Sequence, residues 1–321
     1  MKAMVITSFG GPEVFQAADL SAPVAGPGQL LVRILATSVN PVDYKIRRAG
    51  SWAGVKPPAV IGFDAAGIVE AVGPGVTGWE PGAKVFYTPH LFGRPGTYAE
   101  LQAVEADIVV EKPANLTFLE AASLPLAGGT AWDAIIRLAA VKPGETVLIH
   151  AGAGGVGSLA VQLARAAGAR VIASASAPNH DLVRALGADV VVDYRAEEPA
   201  DAALRATGGR GVEVAFDTVG GDTLARTIPA MRSYGRMVTC VSSTADLSAA
   251  LGRNLTVHFE FLERARFKME ALQTLAARGL LKPIIDSVMP LEAVADAHRR
   301  IEGGGMRGKV VLRVGAGAEG R

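Results

Sequence analysis

The sequence predicts an α/β protein of two domains, one rich in short strands and one built on a doubly wound parallel sheet. Three observations carry this reading. The chain has 321 residues, half of them hydrophobic, and a domain typically takes roughly 100–200 residues. Its first 120 residues break into short β-like runs separated by Gly and Pro. Farther on, apolar runs start near Val147, Val171, Val190, Val212 and Arg236, at intervals of 24, 19, 22 and 24 residues, with helical stretches between them.

In the N-terminal part, the runs at 3–7, 29–35, 65–72, 84–87, 98–104 and 108–110 read as strands of a small barrel or sandwich. Gly26-Pro27-Gly28, Gly73-Pro74-Gly75 and Glu80-Pro81-Gly82 supply the turns between them. Segments 116–124 and 129–140 read as helices. The five later runs are apolar on both faces, which suits parallel strands covered on each side, with helices at 156–167 and 180–186 among the connections. The end of the chain gives helices at 267–278 and 291–302 and a closing strand at 309–314. Its Val310-Val311-Leu312 is expected to return to the N-terminal domain, and the tail after Val314 reads as disordered. The expected division is residues 1–122 with 264–321 as one domain and 123–263 as the other.

Charge and cysteine content narrow the function. Lys plus Arg number 32 and Asp plus Glu 31, a net charge of +1, so neither nucleic acid nor an anionic membrane is an expected partner. No apolar stretch is long enough to span a bilayer, and the N-terminal apolar segment is too short for a secretory signal. The single cysteine, Cys240, forms no internal disulfide and suits a reducing, cytoplasmic setting. It also supplies no multi-cysteine zinc site.

Val147-Leu148-Ile149-His150 runs into Ala151-Gly152-Ala153-Gly154-Gly155-Val156-Gly157 and then a helix. Gly152 and Gly154, with Ala153 between them, allow a tight strand-to-helix turn and close approach of backbone to a pyrophosphate. Gly155 and Val156 open the helix with unpaired N–H groups, and Gly157 lets it pack on the strand. Following a strand and opening five regular units, the motif reads as a Rossmann dinucleotide site. The next strand ends in Ser174-Ala175-Ser176, without the carboxylate that accepts from the ribose hydroxyls in NAD sites. Ser174 and Ser176 can donate to a 2′-phosphate, and His180, Tyr194 and Arg195 follow nearby, so NADPH is the expected cofactor; the bland reading makes the serines ordinary turn residues.

With both domains in view, the chain resembles the medium-chain dehydrogenase/reductase superfamily, specifically its zinc-free quinone oxidoreductase (zeta-crystallin-like) branch. The resemblance rests on Asn40-Pro41-Val42-Asp43, Gly62-Phe63-Asp64-Ala65-Ala66-Gly67, Gly96-Thr97-Tyr98-Ala99-Glu100 and Gly128-Gly129-Thr130-Ala131. Leu186-Gly187-Ala188-Asp189, Asp217-Thr218-Val219-Gly220-Gly221 and Gly308-Lys309-Val310-Val311 extend it. It implies a GroES-like β-rich catalytic domain beside the Rossmann domain, and a homodimer. Zinc-dependent relatives carry a cysteine in the segment that reads Asn40–Asp43 here, His-Glu in place of Phe63-Asp64, and a four-cysteine lobe absent here, so no metal is expected. The resemblance further places Asn40 and Pro41 beside the nicotinamide and nominates Thr130, Val219, Val241, Ser242 and Lys309 as cofactor neighbours.

Hydride transfer without a metal suits acceptors that are already electron-poor, such as quinones and alkenes conjugated to a carbonyl, and asks the protein for position and hydrogen-bond donors. Asn40, Tyr44, Lys45 and Trp52 are the candidate catalytic residues: Lys45 and Tyr44 to meet an acceptor oxygen, Trp52 to wall the site. The competing readings are a cap for Asp43, packing aromatics for Tyr44 and Trp52, and a solvated charge for Lys45. His150 reads as structural, His298 as lacking any constellation, and Cys240 as a buried strand residue. Phe259, Phe261 and Phe267 read as core or dimer surface, with a share in lining the pocket as the alternative for Phe259 or Phe261. The expected function is NADPH-dependent reduction of a small electrophile; the alternatives are an enoyl-thioester reductase of the same fold and a non-catalytic NADPH-binding protein.

Overall fold

A computed structural model of the chain describes residues 1–320. The chain divides into two units, Met1–Gly129 with Glu263–Arg321, and Thr130–Leu262. The first begins with β1 (Lys2–Ile6), β2 (Phe15–Asp19), β3 (Gln29–Ser38) and α1 (Pro41–Ala49), then β4 (Ala59–Val60), β5 (Ala65–Val72), β6 (Lys84–Tyr87), β7 (Leu101–Glu105), β8 (Val110–Glu111) and α2 (Phe118–Ala122), and the chain passes to the second within α3 (Pro125–Trp132). The second carries β9 (Thr146–Ile149), α4 (Gly155–Ala166), β10 (Arg170–Ala175), α5 (His180–Ala185), β11 (Val190–Asp193), α6 (Pro199–Ala206), β12 (Val212–Asp217), α7 (Thr223–Thr227), β13 (Met231–Thr239) and β14 (Thr256–Phe259). The chain then returns to the first unit with α8 (Arg266–Ala277), β15 (Ile285–Pro290), α9 (Val294–Glu302) and β16 (Lys309–Arg313).

In the first unit, β2-β1-β4 form a small sheet, and β15-β16-β3-β5-β6-β8 form a larger one in which β7 also pairs with β3. β3 alternates inward-facing Leu30, Val32 and Ile34 with outward residues before its end becomes buried throughout, which suits a strand with neighbours on both edges. As expected, Val311 and Leu312 of β16 pair antiparallel with Ser38 and Thr37 of β3. Residues 315–320 of the tail are ordered, contrary to the expectation of disorder. Phe118 and Leu119, in the first turn of α2, donate their N–H groups to the carbonyls of Gly320 and Ala318, and the Ala318 side chain is buried. The unpaired donors of a helix N-terminus give those tail carbonyls a partner.

The second unit is a six-stranded parallel sheet in the order β11-β10-β9-β12-β13-β14. Strand order reverses between β9 and β12, the position at which open α/β sheets bind ligands beyond their carboxyl ends. Val147, Leu148, Ile149, Val171, Ile172 and Ala173 of the central strands are all fully buried, so continuous apolar runs mark them in sequence. Four readings need correction. The run at 108–110 is a 3-10 turn, Ala106–Ile108, followed by β8. The strand read from residue 98 starts at Leu101, and Tyr98 is a core side chain before it. The helix read across 129–140 ends in a π-helical segment, Asp133–Leu138. Cys240 is half-buried and lies just past the end of β13.

β3 and β5 pack so closely at Gly67 that a Cβ there would lie 2.1 Å from the Arg33 carbonyl oxygen. Gly67→Ala is therefore expected to destabilise the protein by about 1–3 kcal/mol and lower Tm by about 3–10 °C, measured by thermal denaturation.

Candidate active site

In the first unit, β3 ends at Ser38 and α1 begins at Pro41, and the corner between them gathers polar side chains. Asn40 caps α1 with extended backbone (φ −123°, ψ 156°), and Pro41 sits in the first turn, where a missing N–H costs nothing. Asp43, three residues on, accepts the Asn40 N–H at 2.8 Å. The Asn40 side chain is buried; its Nδ2 donates to Asp64 Oδ2 at 2.7 Å, and its Oδ1 accepts from Lys309 Nζ. The same Asp64 oxygen takes the Ser38 hydroxyl at 2.6 Å and the Lys309 ammonium at 3.3 Å, while its Oδ1 takes the Leu126 N–H at 2.7 Å. Lys309 and Asp64 are both buried, and such a pair persists because donors saturate the carboxylate.

A second set of groups reaches Asp43 from the other side. Arg47 is fully buried and holds Glu302 with two bonds, at 3.2 and 2.8 Å, and the Arg48 guanidinium adds a contact of 2.7 Å. Arg47 Nη1 also lies 3.0 Å from His298 Nδ1, His298 Nε2 lies 3.2 Å from the Tyr98 hydroxyl, and Tyr98 donates to Asp43 Oδ2 at 2.7 Å. His298 therefore has a full constellation, contrary to the sequence reading. Burial, reinforced by the Arg47 charge, pushes its imidazole down to about 3 and keeps it neutral. Burial, opposed by the Tyr98 and Asn40 hydrogen bonds, pushes the Asp43 carboxyl up to about 7. Burial and the adjacent Asp43 raise the Tyr98 phenol well above its ordinary value.

Tyr44 and Lys45 lie on the opposite side of α1. Asp43, Ile46 and Arg47 are buried, whereas Pro41, Lys45 and Arg48 are exposed and Tyr44 is half-buried under the Arg48 guanidinium, 5.3 Å above its ring. The spacing i, i+3, i+4, i+7 puts these four residues on one stripe. Trp52 is 49% exposed and meets Phe92 edge-on, with centroids 6.4 Å apart. The structure thus brings Asn40 and Lys309 together and leaves Tyr44, Lys45 and Trp52 facing outward.

In the second unit, the candidate cofactor residues other than Thr130 lie at or follow the carboxyl ends of the parallel strands. The turn after β9 opens with Ala151 in the left-handed region (φ 53°). A Cβ on Gly157 would fall 2.1 Å from the Ala151 carbonyl oxygen, so only glycine lets α4 start this close to the turn. At Gly152 a Cβ would meet that of Ala173 at 2.9 Å, whereas at Gly154 the sole neighbour within 4 Å is the Ala151 oxygen at 3.3 Å. No side chain caps α4, so the first-turn N–H groups of Gly155 and Val156, beside Ala153 and Gly154, face an open cradle. These features fit a dinucleotide pyrophosphate.

Ser174 is buried and its Oγ accepts the Ala151 N–H at 3.1 Å, so this serine supports the glycine turn. Ser176 is half-buried, His180 donates from Nε2 to the Ala175 carbonyl at 3.2 Å, and Tyr194 is exposed beneath the Arg195 guanidinium at 5.7 Å. Ala175 pairs with Asp193, the last residues of β10 and β11, and Ser176 and Tyr194 follow them directly. Val219 is exposed on a turn whose N–H groups, its own and that of Gly220, are taken by Asp217 Oδ1 at 2.8 and 3.0 Å. Val241 and Ser242 follow β13 and Thr130 is buried in α3. His150 is buried against Thr227 Oγ1 at 2.9 Å, and burial pushes it down to about 4, which fits its structural reading. Phe259, Phe261 and Phe267 are exposed at 65%, 62% and 51%, so they are not core.

Sequence reasoning missed Asp64, Tyr98, Arg47, His298 and Glu302. The readable signal was a lone polar residue in an apolar setting: Asp64 in Gly62-Phe63-Asp64-Ala65, and Arg47 one residue after Ile46 on the buried face of α1. Among the described residues, no group of three or more His, Cys, Asp or Glu side chains could hold a metal ion, and no helix is long and apolar enough to cross a membrane.

Residues 26–114 match the family model of the alcohol dehydrogenase GroES-like domain, and residues 186–312 that of the zinc-binding dehydrogenase. The chain is 32% identical to human quinone oxidoreductase, with 97% of each chain covered. It is 32% identical to the chloroplastic NADPH-dependent alkenal/one oxidoreductase of Arabidopsis thaliana, over 97% of this chain and 79% of that one. Among solved structures, an NAD-dependent alcohol dehydrogenase is similar at TM-score 0.93 and 33% identity, covering 98% of this chain and all of the other. Matched over nearly its full length by such relatives, the chain belongs to the medium-chain dehydrogenase/reductase superfamily, in its quinone oxidoreductase branch.

Proposed function

We propose that the protein is an NADPH-dependent oxidoreductase that reduces quinones or α,β-unsaturated carbonyls without a metal ion. The observation that carries this reading is the glycine turn between β9 and α4, an uncapped helix N-terminus at the switch point of the sheet, followed by a β10 that ends without a carboxylate. The names of the human and Arabidopsis relatives, a quinone and an alkenal/one oxidoreductase, support the acceptor class. NADPH over NADH rests on Ser174-Ala175-Ser176, on Arg195 two residues past the end of β11, the strand paired with β10, and on the Arabidopsis relative's stated cofactor. The NAD-dependent structural neighbour weighs on the other side.

Bound reduced nucleotide supplies a hydride, and the chain supplies the rest. Gly152 to Val156 seat the pyrophosphate, with Ser174, Ser176, His180 and Tyr194 toward the ribose phosphate. Thr130, Val219, Val241 and Ser242 are assigned to the remaining cofactor surface, and Asn40, Pro41 and Lys309 to the nicotinamide end. Lys45 and Tyr44 donate to the acceptor oxygen as negative charge develops there, and Trp52 covers the acceptor. The positions where zinc-dependent relatives hold ligands carry Asn40–Asp43 and Phe63-Asp64 here, and the Asp64 oxygens are already taken by Ser38, Asn40, Lys309 and Leu126.

Steady-state kinetics with each reduced nucleotide test the cofactor assignment. NADPH is expected to exceed NADH in kcat/KM by about tenfold or more, the worth of one charge-assisted contact; a preference for NADH overturns it. Gly157→Ala is expected to weaken nucleotide binding, followed by fluorescence titration, by about tenfold or more, because the added methyl drives α4 away from the turn. Lys45→Ala is expected to lower kcat on quinones or enones about a hundredfold with nucleotide affinity changed only a fewfold, and unchanged turnover removes Lys45 from the mechanism.

A further inference from the structure

Four side chains of the first unit leave no choice over where their protons point. A guanidinium only donates, so Arg47 Nη1, 3.0 Å from His298 Nδ1, requires a lone pair on that nitrogen. The neutral imidazole then carries its proton on Nε2, which donates to the Tyr98 oxygen at 3.2 Å. Tyr98 has one proton, and it goes to Asp43 Oδ2 at 2.7 Å. The same oxygen accepts the Asn40 N–H at 2.8 Å. The chain runs one way, from Arg47 to Asp43, since reversing it would ask a guanidinium to accept. It ends on a carboxylate whose other oxygen, Oδ1, is buried with no hydrogen-bond partner among the described residues.

We propose that Asp43 is the positioning residue of the reduction: as a carboxylate it clamps Asn40 and, through the Asn40 side chain, the Lys309–Asp64 pair, and a proton taken up at Oδ1 loosens that clamp. The inference rests on the function proposed above, since it is read in turnover. Oδ1 is the only place for the proton, because Oδ2 is committed to two donors. The charged and titratable groups around Asp43 come from every element packed on it. Arg47 shares its helix; His298 and Glu302 come from α9, Lys309 from β16, Asp64 from just before β5 and Tyr98 from before β7. Lys309 favours the carboxylate, whereas burial and Asp64 oppose it, and the balance sets the carboxyl near 7. Neither His298, pushed down to about 3, nor the Tyr98 phenol, pushed up, changes charge in that range.

The test is the pH dependence of kcat with saturating NADPH and a benzoquinone acceptor, for the wild type, Asp43→Asn and Tyr98→Phe. The wild type is expected to lose turnover on the acid side with a midpoint near 7. Asp43→Asn flattens that limb at whatever plateau it retains, since an amide oxygen still takes both donors but does not titrate. Tyr98→Phe removes a hydrogen bond from the charged form and moves the limb toward alkaline pH by about one unit or more. A limb that stays in place in both variants overturns the proposal, as does a loss of turnover that is uniform with pH. Should Asp43→Asn fail to fold, the shift in Tyr98→Phe decides alone.

Thermal denaturation supplies a readout independent of turnover. A carboxyl raised from 3.8 to about 7 in the folded state contributes stability below 3.8 that is lost as pH rises toward 7. The Tm of Asp43→Asn minus that of the wild type should therefore grow between pH 4 and 7 and level off above. A gap that does not vary with pH overturns the assignment of the titration to Asp43. Absence of NADPH binding and oxidation at every pH, with the Tm gap present, instead refutes the proposed function and with it the link from Asp43 to turnover.

Discussion

A charge withdrawn from water must be met by a partner, and the first unit withdraws Arg47, Asp43, Asp64 and Lys309 around the start of one helix. Each is answered by a specific group: Glu302 for Arg47, Tyr98 and the Asn40 amide for Asp43, and Asn40, Ser38 and Leu126 around the Lys309–Asp64 pair. These partners tie α1 to α9, β16 and the segment before β5. The corner at Asn40 is held by polar bonds on both sides. That matters for function because a donor or carboxylate serves chemistry only when its own position is set.

The second unit meets a different constraint, the close approach of backbone to backbone. Ala151 takes a left-handed conformation and Gly157 comes within a methyl's reach of its carbonyl. The result is a helix whose first N–H groups are left for an anion. A turn of this form can attract an anion without a charged side chain, because the helix dipole and the free amides favour negative charge there.

Much of this was legible in the sequence, for physical reasons. β9, β10 and β12 are buried on both faces along most of their length, so apolar residues follow one another on both faces and the runs stand out. The glycine turn was legible because steric need restricts its residue types. By contrast β2 and β14 are short and partly exposed, with burial patterns that never build a run, and they escaped notice. The polar corner was hidden for another reason. Asn40 meets Asp64 at a separation of 24 residues and Lys309 at 269, and periodicity carries no information about such pairs. His298 looked isolated because its partner Arg47 lies 251 residues earlier. The outward placement of Tyr44 and Lys45 was likewise decided by which face of α1 meets the core, and Ile46 with a buried Arg47 settled it.

The permanent donor at the head of the Arg47–His298–Tyr98 series has a consequence for proton traffic. A guanidinium neither releases nor accepts a proton at physiological pH, so nothing can hop inward along this path from the Glu302 end. The series behaves as a rectifier that transmits polarisation but no particle. A proton that reaches the carboxyl at its far terminus therefore does not come along the Arg47 path.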